Sequence, residues 1–146
     1  MLNSATRLEK ILHQIPQQLS QYSEEQASIK PSPGKWSKKE ILGHLIDSAA
    51  NNHQRFVRMQ IDNNLSLLQY KQDEWVAVQH YQSRSWNDII QLWKIQNMHI
   101  LHILKHLDHS KLSNIAVFPE YGVQTLQFLM DDYVDHIEHH LIQIFK

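Results

Sequence analysis

The sequence predicts an all-α fold, a bundle of four long helices. Three observations carry this reading. Glycine and proline are scarce, at 3 and 4 in 146 residues, which leaves long stretches free of helix breakers. Four segments repeat apolar residues at helical spacing. No stretch of alternating apolar and polar residues suggests a strand, and no repeat or low-complexity tract interrupts the chain.

The first helix is expected from about Ser4 to Gln21, with Leu8, Ile11, Leu12, Ile15 and Leu19 in phase. "SIKPSPGKW" then breaks the pattern, since two prolines and a glycine do not continue a helix. The second start is marked by "WSKKEI". Ser37 caps, Glu40 completes a capping box, and Trp36 and Ile41 are spaced for a hydrophobic staple. This helix should reach about Gln60. A long connection, "IDNNLSLLQYKQDEWVAVQHYQSR", with a short helix around Asp73 to Gln79, can carry the chain back along the bundle as a crossover. Ser85 and Asp88 open the third helix. The turn-like "FPEYG" separates it from the last, which begins near Thr125.

Composition narrows the function. The length fits one domain spanning 1–146, large enough for its own core. With no cysteine, disulfides, zinc-thiolate sites and a protein thiol nucleophile are excluded. Net charge is −1, from 14 basic and 15 acidic residues, so no basic footprint for nucleic acid and no charged block for a membrane surface is present. The N-terminal stretch lacks an apolar run after a basic start, and the expected compartment is the cytoplasm.

The 11 histidines are the departure from average. At about 100° per residue, His99, His102, His106 and His109 fall opposite the apolar face of the third helix and are expected in solvent. On the last helix, Leu126, Leu129, Met130, Tyr133, Ile137, Leu141 and Ile144 form the apolar stripe. His140 lies about 50° from its centre, His136 near its edge and His139 roughly opposite. Inward imidazoles are costly unless something satisfies their nitrogens, and a metal between facing helices would do so. Two hydrogen-bonded core histidines are the plainer alternative. A third ligand has to come from another helix: His44, His53 and His13 are the choices. Antiparallel second and fourth helices favour His44, with His53 about 13 Å away along the axis, whereas parallel ones favour His53.

"KWSKKEILGHLIDSAANNHQRF" together with "TLQFLMDDYVDHIEHHLIQI" resembles the DinB-like superfamily of four-helix-bundle metalloproteins, which includes bacillithiol transferases and thiol-dependent maleylpyruvate isomerases. The resemblance spans essentially the whole chain. It implies an up-down-down-up bundle with its long connection between helices two and three. It also implies one divalent metal on His44, after the Trp-Ser entry, and on the H-x-x-x-H pair His136 and His140. Three imidazoles leave a coordination position open, as in catalytic rather than structural sites, and suit zinc or nickel.

Around these residues, Asp47 and Asp132 are spaced to hold the far ring nitrogens of His44 and His136, or are merely solvated. Ser48, Asn51 and Arg55 continue the flank of His44 as a polar strip for substrate. Arg55 suits an anionic group, or pairs with a surface acid. The expected activity is thiol S-transfer to a small electrophile, with a low-molecular-weight thiol such as bacillithiol as cosubstrate. The alternatives are a metal-dependent hydrolase and a non-catalytic metal-binding stress-response bundle. The resemblance further implies a homodimer acting on a small molecule, and the charge balance argues against a nucleic-acid or membrane partner.

Overall fold

The computed structural model describes residues 1–146. Its frame is four long helices, α1 (Asn3–Leu19), α3 (Lys38–Ile61), α5 (Trp86–His106) and α6 (Leu126–Ile144), with short helices α2 (Glu24–Ser28) and α4 (Gln72–Gln79) in the connections. No helix is long and apolar enough to cross a membrane. The capping box expected at the start of α3 is present, with Ser37 Oγ accepting from the Glu40 N–H and the Glu40 carboxylate from the Ser37 N–H.

The helices share one apolar core, with Trp93, Tyr133, Phe56, Leu42 and Leu45 among its largest fully buried side chains. At its centre Tyr133 donates to Asn97 Oδ1 at 2.6 Å, and the Asn97 amide donates to the Trp93 carbonyl at 2.9 Å. Every polar atom of that Asn side chain is thereby used, as burial requires. The start of α3 lies against the second half of α6, where His44 meets His136. The end of α3 lies near the start of α6, where the Asn114 amide, placed beside Leu126 N–H by its own carbonyl, donates to the Met59 carbonyl. These contacts bring a residue early in one helix level with residues late in the other.

Helix α2 was not expected. It has its own capping box, formed by the N-cap Ser23 with Gln26, and its Glu24 joins three elements. The carboxylate accepts the Trp86 N–H at the start of α5 (2.8 and 2.9 Å) and pairs with the buried Lys39 of α3 at 2.8 Å. A free helix-end donor and a buried ammonium are satisfied by one acid.

The expectation of a purely helical chain needs correction. A three-stranded sheet, β1 (Leu65–Ser66), β2 (Ile115–Phe118) and β3 (Gly122–Thr125), stands beside the bundle in the order β1-β2-β3. "FPEYG" is the turn of its antiparallel hairpin, with Phe118 opposite Gly122 and Ile115 opposite Thr125, and Gly122 takes φ +73°. β1 adds in parallel through Leu65 and Ser66. Strands of two and four residues are too short to display a period of two, and β1 acquires its partner from across the fold. The sheet closes the end of the bundle where α3 ends and α6 begins: Asn63 Oδ1 accepts the Ile115 N–H at 2.8 Å.

Candidate metal centre

His44 sits two turns into α3 and is 1 % exposed, enclosed by Trp36, whose ring centroid lies 5.0 Å away. His136 and His140, one turn apart on α6, face it. Nε2 of His44 stands 3.0 Å from Nε2 of His136. The His140 ring lies 4.7 Å from the His44 ring and 4.5 Å from that of His136. One nitrogen from each of the three comes within 4.8 Å of the others, a set able to hold a metal ion.

The donor chemistry fits a divalent cation. Burial, with repulsion from the neighbouring imidazoles second, pushes His44 down to about 3 and His136 down to about 4. Burial also lowers His140, against the opposing effect of the hydrogen bond it donates to Gln143. All three rings are therefore neutral at pH 7, the form that binds metal. The His140 tautomer is fixed, because Gln143 Oε1, which can only accept, lies 2.9 Å from Nδ1 and leaves the Nε2 lone pair free. Two nitrogens sharing a tetrahedral zinc at 2.0–2.1 Å are about 3.3 Å apart, close to the 3.0 Å between Nε2 of His44 and Nε2 of His136. The cluster holds no fourth ligand from the protein.

His99, His102, His106, His109 and His139 are exposed, as helical phase indicates, and so is His13, which the sequence offered as a candidate ligand. His53 is half-buried against His99, 5.1 Å between ring centroids, on the α5 side of α3.

The surrounding polar residues depart from expectation in three places. Asp47 is buried but does not hold His44. Its Oδ1 accepts from Tyr81 Oη and Gln79 Nε2, each at 2.7 Å, while its Oδ2 and His44 Nδ1 are both buried without a partner. Gly43 is the reason: the Tyr81 ring occupies the space a side chain would fill and delivers its hydroxyl to Asp47. Asp132 does not hold His136, whose Nδ1 faces Ser48 Oγ at 3.4 Å; the acid, four residues earlier on α6, is exposed at a cavity rim. The α3 amide in that cavity is Asn52, not Asn51, which bonds back to the Asp47 carbonyl. One residue is about 100° of helical phase, enough to move the amide to the next face.

The cavity, about 370 Å³, reaches His136 from the sheet side. α3 contributes Ser48, Asn52 and Arg55, and α6 contributes Asp132, Tyr133 and His136. Tyr70 from the connection and Phe118 and Tyr121 from the hairpin close it. Its volume lies in the range of small-molecule sites. A wider depression of about 610 Å³ outside it, between residues 68–74 and 119–121, contains none of the histidines. Tyr70 and Tyr121 went unnoticed in the sequence because irregular segments carry no period, and Phe118 because its strand is only four residues long. Gln143, three residues after His140 on the same helix, was within reach of the i,i+3 rule.

A helical bundle with three converging neutral imidazoles beside a small-molecule cavity defines a class of protein with a candidate metal centre open to a ligand. The chain belongs to the DinB superfamily, whose family model matches residues 7–144. It is 20% identical over 137 residues to a Bacillus cereus (strain G9842) protein whose name proposes a metal-dependent hydrolase, covering 94% of this chain and 79% of that one. Its fold is similar to YfiT from Bacillus subtilis, for which a metal-dependent hydrolase with an unusual four-helix bundle topology has been proposed. The TM-score is 0.83 at 19% identity, over 97% of this chain and 83% of that one. It is also similar to the DinB-like protein YjoA from Bacillus subtilis, with a TM-score of 0.68 at 14% identity, over 99% and 87% of the two chains.

Proposed function

We propose that this protein binds one divalent ion, zinc or nickel, through His44, His136 and His140, and transfers a low-molecular-weight thiol such as bacillithiol to a small electrophile held in the adjacent cavity. When bound, such an ion supplies Lewis acidity that lowers the pKa of a thiol or water at its open position. The carrying observation is the donor set: three neutral imidazoles with no carboxylate among them. A water nucleophile gains from a protein base near the site, but Asp47 is occupied by Tyr81 and Gln79 and Asp132 stands at the exposed rim. A thiol, with a free pKa near 8.5, gains enough from coordination alone.

The chain's own residues then position the reactants. Trp36 encloses His44 and limits water on that side, Gln143 fixes the His140 tautomer, and the cavity seats the electrophile beside His136. In the transfer, sulfur forms a bond to the electrophilic carbon, the leaving group departs with its electron pair, and the thiol proton passes to solvent. The reading includes an up-down-down-up order of the long helices, supported by the meeting of His44 with His136 and by the shared Glu24 partners Lys39 and Trp86. It includes a cytoplasmic homodimer as well, for which light scattering should return twice the 17.3 kDa chain mass.

Hydrolysis is the second reading, favoured by the names of the Bacillus cereus relative and of YfiT. Incubating the metal-loaded protein with 1-chloro-2,4-dinitrobenzene, with and without added thiols, separates the two by product mass. Thiol adducts formed faster than with His136→Ala support transfer. Dinitrophenol formed without thiol supports hydrolysis, and no enhancement in either assay leaves a non-catalytic metal-binding bundle.

A further inference from the structure

Arg55 is a half-buried cation with no acid in salt-bridge contact. Its guanidinium lies over the Phe118 ring, 5.1 Å from the centroid, and makes one protein hydrogen bond, from Nη2 to the Leu68 carbonyl at 3.2 Å. Most of its five donors are left for something else. Asp132 shares the cavity but forms no ion pair with it within 4 Å, so the pairing with a surface acid that would explain the residue structurally is missing. A fork stacked on an aromatic ring, with its remaining donors in a ligand-sized cavity, is pre-organised for a planar anion.

The cavity is extended along α3. Ser48, Asn52 and Arg55 follow His44 down one face of the helix, placing the Arg55 backbone about 16 Å from the level of His44 at 1.5 Å per residue. His136 and Arg55 both line the cavity, with the aromatic rings of Tyr70, Phe118 and Tyr121 and the polar side chains of Gln69, Gln72 and Gln124.

We propose that the cavity selects a ligand bearing a carboxylate on a flat, aromatic or unsaturated body, with the carboxylate taken by Arg55 and the reactive end directed to His136. This names the substrate class for the proposed thiol-transfer site and rests on that reading for the identity of the reactive end. The recognition by Arg55 stands on the cavity alone. The carboxylate can belong to the electrophile or to the thiol, and matched probes tell them apart.

The test uses the full-length protein in metal-loaded and chelator-treated forms. Binding of 4-chloro-3-nitrobenzoate is compared with that of its neutral amide by ligand-observed NMR, and binding of 4-mercaptobenzoate with that of its amide. For one of the two pairs the acid should bind on the order of tenfold to a hundredfold tighter than the amide. That preference should vanish in Arg55→Met, fall in Arg55→Lys, which keeps charge but loses the fork, and persist in the exposed control Arg58→Met. It should survive chelation, which distinguishes recognition by Arg55 from a carboxylate bound at the metal and leaves the result independent of whether thiol transfer occurs. Circular dichroism checks that each variant folds, and Arg55→Gln replaces Arg55→Met if the latter does not. No acid preference in either pair, a preference retained in a folded variant lacking the Arg55 charge, or one lost on chelation overturns the proposal.

Discussion

Tyr81 packs against the backbone of Gly43 so closely that a Cβ on Gly43 would stand 2.3 Å from its Cδ2 and 2.5 Å from its Cγ. In an ordinary helix interior, Gly→Ala stabilises by about 0.5–1 kcal/mol. Here the added methyl must expel the ring that hydrogen-bonds Asp47, and overpacking of this kind costs about 1–3 kcal/mol. Gly43→Ala should therefore destabilise the protein in urea denaturation by about 1–2 kcal/mol. A gain in stability would mean that Tyr81 yields at no cost.

Stability should depend on pH through the buried imidazoles. In protein stripped of divalent ions, His44 and His136 are held down at about 3 and about 4 by burial and by their neighbours' charge, against about 6.5 in the unfolded chain. The unfolded state thus binds more protons as pH falls below about 6.5, and stability declines from there towards about 4. Each imidazole contributes a slope of up to about 1.4 kcal/mol per pH unit. Denaturation curves between pH 7 and 5 should be less steep in pH for His44→Gln than for wild type. Parallel dependence in the two would remove His44 as a source.

Gln143 should matter to the metal more than to the fold. Its side chain is exposed, and its contact with His140 Nδ1 fixes the ring's tautomer. Gln143→Leu should lower metal affinity on the order of 10–100-fold, in line with the loss of other outer-shell partners. Competition with a chromophoric chelator measures this, and denaturation of the metal-free forms should show a change within about 0.5 kcal/mol. Unchanged affinity would show that the tautomer is set elsewhere.

What the sequence made legible follows from periodicity. Helical phase placed His140 inward and His136 at the stripe's edge on the last helix, left His139 outside there and the row containing His102 outside on the third, and the Ser37–Glu40 box located the start of α3. The phase of α3 alone did not choose between His44 and His53; the DinB-like pattern did. Long-range contacts were out of reach. Asp47 meets Tyr81 across 34 positions, and β1 finds β2 only when the bundle brings residues 65 and 116 together. Tyr70 and Tyr121 shape the cavity from segments too irregular to show a pattern. Asn51 and Asn52 differ by one step of helical phase, finer than an apolar stripe resolves.

The metal content of purified wild type, His140→Ala and His102→Ala, measured side by side by elemental analysis, tests the central claim most directly. His140 belongs to the converging triad, whereas His102 stands exposed on α5 with its ring 4.2 Å from that of His106, a surface pair equally able to attract a stray ion. Wild type and His102→Ala should each carry about one divalent ion per chain, and His140→Ala should lose most of it. Unchanged stoichiometry in His140→Ala, or an equal loss in His102→Ala, would contradict a centre built on His44, His136 and His140.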